Sequence, residues 1–295
     1  MKTLIGFLTI SRVHPPFRTI LGRCIMTSSA HGKDQQDHLD ITANNSRIEL
    51  VCPAVVNEVK HISPTVKQLK LHVKRKDFTF KAGQWVDFFI PDVKTVGGFS
   101  ISSAPKTLKD EGVIKLGVKA SDHPPAHWVH NKCKEGDAVS VRAGGDFYYD
   151  PQTAEEQTDL LLVAGGVGKN PIYSILQHFV NLQLEYCDRE RKVVLLYSSS
   201  AREELLYRDH IKELADKSSN IFYKFFVTQQ PENKESTHMR NGRIGEDDVT
   251  EALEKLNTEK LLCYICGPST MSNAVEGFLL NSGVPKNKIM YEKWW

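Results

Sequence analysis

Leu160-Leu161-Leu162-Val163-Ala164-Gly165-Gly166-Val167-Gly168-Lys169-Asn170-Pro171 decides the fold. The opening apolar run leaves no polar face, so it reads as a strand buried on both sides, as in a parallel sheet covered by helices. The glycines that follow allow tight turns and close backbone approach. Ile172, Ile175, Leu176, Phe179 and Leu182 then recur at helical spacing. That predicts a helix over 171–184 with Pro171 at its first position, where a missing N–H costs nothing. A strand, a glycine loop and a helix N-terminus together aim free N–H groups and a positive dipole end at one spot, which suits phosphate. The same unit also serves as a plain tight turn, and both readings stand at this point. Two named motifs are excluded. Val163 and Asn170 stand where a P-loop needs Gly and Ser/Thr, and Pro171 stands where the Rossmann fingerprint needs its third Gly.

Toward the C-terminus the rhythm repeats. Strands are expected over 193–197, 221–227, 261–265 and 289–291, and helices over 203–215, 247–256 and 271–281. Gly283 and Pro285 supply the last helix stop. Alternating strands and helices predict a parallel-sheet αβα nucleotide-binding domain over 153–295, with ligands at the carboxyl ends of the strands. Toward the N-terminus the pattern is different. Short apolar runs at 47–62, 66–73, 85–90, 113–120 and 138–141 are separated by Gly, Pro and Asp turns. This half reads as an antiparallel β-barrel over 47–152. The expected fold class is thus all-β plus α/β.

Composition removes several functions. The 295 residues are 25% charged with a net charge of +2, too balanced for a dedicated nucleic-acid binder. Nothing approaches the ~18 uninterrupted apolar residues of a transmembrane helix. The 6 Cys are spread too thinly for a disulfide scaffold and are expected as thiols. Cys263 and Cys266 lack the further ligands that zinc requires. Residues 1–33 contain no Asp or Glu but hold Lys2, Arg12, Arg18, Arg23 and Lys33. A basic, acid-free, hydroxyl-bearing leader predicts a mitochondrial presequence. The rival, a secretory signal at 4–10, is short and broken by Gly6 and Thr9. Residues 27–46 read as a linker, so 1–46 is assigned to targeting segment and linker.

Three further stretches complete an ordered set: Gly97-Gly98-Phe99-Ser100-Ile101-Ser102-Ser103, Cys266-Gly267-Pro268 at the end of a strand, and the terminal Tyr291-Glu292-Lys293-Trp294-Trp295. By itself the first suits an ordinary half-buried strand. Together with the Gly165–Gly168 loop and the Gly83-Gln84 turn, the set resembles the ferredoxin–NADP reductase-like oxidoreductases over 47–295. The resemblance implies a flavin, FAD, on the barrel and a nicotinamide nucleotide on the αβα domain. It places Phe99, Ser100, Ile101 and Ser102 against the flavin ring, with Ser100 at the ring edge, and Lys119 near the flavin phosphate. It places Gly165, Gly166, Val167, Gly168, Lys169 and Asn170 around the nucleotide. Cys266, Gly267 and Pro268 fall on the nicotinamide side, with Ser100 and Cys266 as the catalytic pair, and Trp294 and Trp295 beside the flavin.

Departures from the family pattern are visible as well. Gly97 stands where an Arg commonly contacts flavin phosphate, Phe99 where Tyr is common, Lys169-Asn170 where Ile-Thr is common, and Ala126 where Ser or Thr is common. The resemblance implies hydride transfer from NAD(P)H to flavin, then electron transfer to an acceptor, protein or small molecule. The departures imply a second reading, a nucleotide-binding regulatory or assembly protein with a degenerate flavin site. Ser198-Ser199-Ser200-Ala201-Arg202 supplies groups for a 2′-phosphate, but Glu203 and Glu204 repel one, which favours NAD over NADP.

Overall fold

A computed structural model describes residues 37–187, 190–230 and 236–294. The expected targeting segment and Trp295 lie outside these residues. The first half forms a six-stranded antiparallel sheet from β1 (Cys52–His61), β2 (Val66–Val73), β3 (Trp85–Phe89), β4 (Gly97–Ser100), β5 (Val113–Lys119) and β6 (Ala138–Gly144). The order is β4-β3-β6-β1-β2-β5, and a bridge between Ile101 and Leu116 joins the two ends into a barrel. Alternation along each strand sends Leu69, Leu71, Val86, Phe88, Ile114, Leu116 and Val141 to the interior. The first strand is shorter than expected: Arg47 makes only an isolated bridge to Gly144. Two short helices also belong to this half, α2 (Pro105–Glu111) and α3 (Pro124–Asn131). Each is too short to show a helical repeat in the sequence.

The stretch expected as linker includes a folded piece. Helix α1 (His38–Ile41) is a single turn capped by Asp37, whose carboxylate accepts from Leu39 N at 3.2 Å and from Val96 N at 3.4 Å. His38 meets Trp85 edge-on at 4.6 Å and lies 3.2 Å from the fully buried Asp87 carboxylate. Arg47 and Arg142 donate to Asp87 Oδ2 at 3.0 and 2.7 Å. Burial pushes the Asp87 carboxyl up, but His38, Arg47 and Arg142 outweigh it and hold it below its ordinary value.

The second half is a six-stranded parallel sheet. It comprises β7 (Asp159–Gly165), β8 (Val193–Ser199), β9 (Ile221–Val227), β10 (Met239–Asn241), β11 (Leu261–Pro268) and β12 (Ile289–Trp294), ordered β10-β9-β8-β7-β11-β12. Its helices are α4 (Lys169–Glu185), α5 (Arg208–Asp216), α6 (Glu246–Leu253) and α7 (Ser269–Asn281). Every residue of β7 is buried. Leu160, Leu162 and Ala164 pack with Ile172, Ile175 and Phe179 of α4. Leu161 and Val163 pack on the opposite face with Val249 of α6 and with Val275 and Leu279 of α7. Each fully buried Leu or Val contributes about 1.5–3 kcal/mol, so this strand anchors both layers.

The helix expected over 203–215 is interrupted. A short turn at Arg202–Glu204 is followed by Tyr207 in the left-handed region, φ 59°, and only then by α5. A bulky residue there is strained. The bend stacks the Tyr207 ring on Tyr173 at 4.0 Å and lets its hydroxyl donate to Asn170 Oδ1 at 3.1 Å.

The chain order reverses at β7, which is flanked by β8 on one side and β11 on the other. Loops leaving these strands diverge and open a crevice at their carboxyl ends, the usual ligand position in such sheets.

Candidate functional site

A cleft of about 490 Å³ lies over that crevice. Gly165, Gly166 and Val167 line it at the end of β7, Ser198, Ser199 and Ser200 at the end of β8, and Pro268 at the end of β11. The barrel supplies the facing wall through Thr65, Val66 and Lys119. Gly166 has φ +54°, and a Cβ there would meet no atom within 4 Å, so its backbone lies open to the cleft. Helix α4 starts just beyond, with no side-chain cap and no acid in its first turn. The Lys169 N–H that opens it is taken by the Gly166 and Val167 carbonyls, so the backbone turned to the cleft is that of Gly166 and Val167 in the preceding turn. The two loops meet through glycine: a Cβ on Gly165 would lie 2.8 Å from Pro268, and one on Gly267 would lie 3.0 Å from the Gly165 Cα.

Lys119 and Arg243 both line the cleft, and neither is ion-paired among the described residues. Glu204 also lines it, but its carboxylate accepts from Ser63 Oγ at 2.7 Å and Thr65 Oγ1 at 2.8 Å. These bonds tie the sheet domain to the barrel at the mouth.

The second half of the glycine loop turns inward. Gly168 sits directly on the Cys266 carbonyl. Lys169 is fully buried, its Nζ has no hydrogen-bond partner among the described residues, and it lies 5.5 and 5.4 Å from the Tyr173 and Tyr197 ring centres. Burial pushes the Lys169 amine far below its ordinary pKa. Asn170 Nδ2 donates to the Gly117 carbonyl at 2.8 Å, so this side chain joins the domains rather than facing the cleft. Cys266 is fully buried on the face of β11 that packs toward α4, while Cys263 faces the opposite layer. Burial pushes the Cys263 thiol up to about 12. Trp294 pairs with Pro268 in the backbone ladder between β12 and β11.

None of Phe99, Ser100, Ile101 and Ser102 lines the cleft. Phe99 packs edge-on against Phe88 at 5.4 Å, and Ser100 and Ile101 are buried. Ser102 Oγ donates to the Lys115 carbonyl at 3.1 Å, and its own carbonyl accepts from Gln177 Nε2 at 2.7 Å. Ser174 Oγ donates to the Ser103 carbonyl at 2.7 Å. This strand end is engaged by α4.

The residues at the implied flavin phosphate do not fit that group. A Cβ on Gly97 would stand 2.9 Å from Pro125, so helix α3 rests directly on the strand where an Arg and a phosphate would need room. Pro124 and Pro125 open α3 and remove two of its leading N–H donors, and no side chain caps it. Lys119, the implied phosphate contact, lines the cleft at the end of β7 instead.

Sequence reading did not single out Thr65, Thr228, Arg243 or Met271, all in the cleft wall. Thr228 directly follows β9, so the carboxyl-end rule could have found it. Thr65 reaches the cleft only through the docking of the barrel, which leaves no local signal.

The sequence model of the oxidoreductase NAD-binding domain matches residues 162–277. Oxidoreductase NAD-binding domain-containing protein 1 of Danio rerio is 44% identical over 267 residues, covering 88% of this chain and 97% of its own. The Homo sapiens protein of that name is 43% identical over 279 residues, covering 92% and 88%. A ferredoxin NADP+ reductase from Neisseria gonorrhoeae with bound FAD and NADP shares the fold, with TM-score 0.64, 21% identity, and 83% and 99% coverage. So does the FAD/NAD binding domain of a nitric oxide dioxygenase from Vibrio cholerae, with TM-score 0.66, 22% identity, and 82% and 98% coverage. A barrel docked on a parallel sheet, with a glycine loop at the switch point and this level of identity to its relatives, assigns the chain to the oxidoreductase NAD-binding domain-containing protein 1 family.

Proposed function

We propose that the protein is a nicotinamide-dinucleotide-dependent oxidoreductase that binds its nucleotide in the cleft between barrel and sheet. One observation carries this reading: the open backbone of Gly166 and Val167 faces Lys119 and Arg243, which have no ion pair among the described residues, across a single cleft at the switch point. Gly166 and Val167 would hold the pyrophosphate through the backbone, with Lys119 adding charge. Ser198, Ser199 and Thr228 would receive the ribose hydroxyls at the ends of β8 and β9. Glu203 and Glu204, following the serine run, favour NAD over NADP. The nicotinamide would lie toward Gly267 and Pro268 and give its hydride, two electrons and one hydrogen nucleus, to an acceptor entering the same cleft.

A second reading rests on the closed phosphate end at Gly97 and Pro125: a nucleotide-binding regulatory or assembly protein. The two separate on the purified full chain. NADH at a hundredfold excess over its Kd should stabilise it by about 2.7 kcal/mol, seen as a raised melting temperature. No shift would overturn dinucleotide binding. Oxidation of NADH on adding ferricyanide or free flavin supports the oxidoreductase; a shift without oxidation supports the regulator. The acid-free leader supports a mitochondrial location. Protein from mitochondria should begin near residue 27, and an intact Met1 would refute the cleaved presequence.

A further inference from the structure

A second and larger cavity, about 820 Å³, opens at the other end of α4. It falls within the roughly 300–1,000 Å³ of small-molecule sites. His178, Leu182 and Glu185 of α4 line it, some nine to sixteen residues along the helix from Lys169. At about 1.5 Å per residue that is roughly 13–24 Å from the glycine loop. The two cavities share no lining residue.

The walls divide by chemistry. Val73, Phe78, Phe80 and Leu182 are buried and form an apolar floor, with Leu108 of α2 beside them. The rim carries Lys74, Arg75, Lys76, Lys106 and Lys109, against Glu185 as the one carboxylate among the lining residues. Arg75 and Lys106 are paired with Asp77 and Asp110. Lys74, Lys76 and Lys109 have no ion pair among the described residues. The side chains of His178 and Asn181 likewise make no hydrogen bond there among the described residues. Burial pushes the His178 imidazole down, toward its neutral form at pH 7.

An apolar floor beneath a rim on which Lys74, Lys76 and Lys109 have no ion pair among the described residues is complementary to a molecule with an apolar body and one anionic head. We infer that this cavity binds a free amphipathic carboxylate of the fatty-acid type. Its chain lies on Phe78, Phe80 and Leu182, and its carboxylate lies at Lys74 and Lys109. The site stands independently of the dinucleotide reading, because it uses none of the same residues.

The test is titration calorimetry of the full chain with sodium decanoate and, separately, decanol. Decanoate should bind saturably, and decanol at least about tenfold more weakly, as expected for the loss of a charge-assisted contact. The exposed pair Lys74→Glu and Lys109→Glu should weaken decanoate at least about tenfold. Its unliganded melting temperature should stay near the parent value, which shows that the variant folds. Leu108→Trp should fill the cavity and abolish binding of both compounds. Absence of saturable decanoate binding, equal binding of decanol, or full binding by the folded Lys74→Glu/Lys109→Glu variant would each overturn the proposal. If Leu108→Trp does not fold, the lysine pair and the decanol comparison still decide.

Discussion

Two glycine pairs, Gly165-Gly166 and Gly97-Gly98, stand where a family resemblance puts phosphate, yet they are put to opposite uses. At the first, a Cβ on Gly166 would project into open space in the cleft. At the second, Gly97 is covered by Pro125 and Phe99, and Gly98 lies under the His38 ring. A glycine permits close approach but does not say what approaches. In the sheet domain Gly166 faces a cavity while Gly165 packs on Pro268 and Met271; in the barrel both glycines are covered by the protein's own chain.

The largest effect should come from the pin that holds the barrel's cover in place. Asp87→Ala leaves Arg47 and Arg142 without their buried partner and should cost about 3–5 kcal/mol, measured by denaturant unfolding. A loss under about 1 kcal/mol would show that the cover is not pinned. The same carboxylate gives a pH signature. Its folded pKa is depressed below the ordinary 3.8, so its contribution is complete above that value. Stability should fall as pH drops below 3.8 through the lower folded value, and Asp87→Asn should flatten that limb of the stability–pH curve.

Next comes the open glycine, Gly166. Gly166→Val forces a β-branched residue to φ +54° and places its methyls in the cleft. NADH affinity should fall about a hundredfold, the equivalent of about 2.7 kcal/mol. Parent-like affinity would remove the loop from the site.

Gly97→Arg discriminates the two pairs directly. At a vacant phosphate site an arginine would be accommodated. Here it meets Pro125, so the variant should lose about 1–3 kcal/mol of stability through overpacking, read as a lower melting temperature. A stable variant with new flavin absorbance would reverse the account of the barrel. The smallest expected effect is Lys119→Ala: about tenfold weaker NADH binding with unchanged stability, and a shallower dependence of affinity on salt.

Much of this comparison was legible beforehand on one side only. The strand–loop–helix unit from Leu160 to Leu182 announces itself because burial on both faces and the 3.6-residue repeat are local properties. The barrel strands show through their turns for the same reason. What stayed hidden depends on partners distant in sequence. Pro124-Pro125 carries no sign of its partner, yet it opens α3 and Pro125 presses on Gly97, 28 positions earlier. Gly97 reads as a lost arginine, and only packing shows it as a contact point. Tyr207 breaks a regular-looking helix because its ring is claimed by Tyr173 and its hydroxyl by Asn170. Lys169 and Asn170 sit in a loop of ligand-binding character, but the direction of each side chain is set by the core beneath and the barrel opposite.

The one-turn helix at His38 sets a limit on how far the N-terminal segment could be trimmed without cost to the barrel. A protease cut near residue 27 leaves Asp37 to Arg47 in place. A cut after Arg47 would uncover Trp85 and remove His38 and Arg47 from Asp87, leaving Arg142 as its remaining partner of the three. Trimming past that point should yield a chain that aggregates through its barrel rather than a shorter working protein.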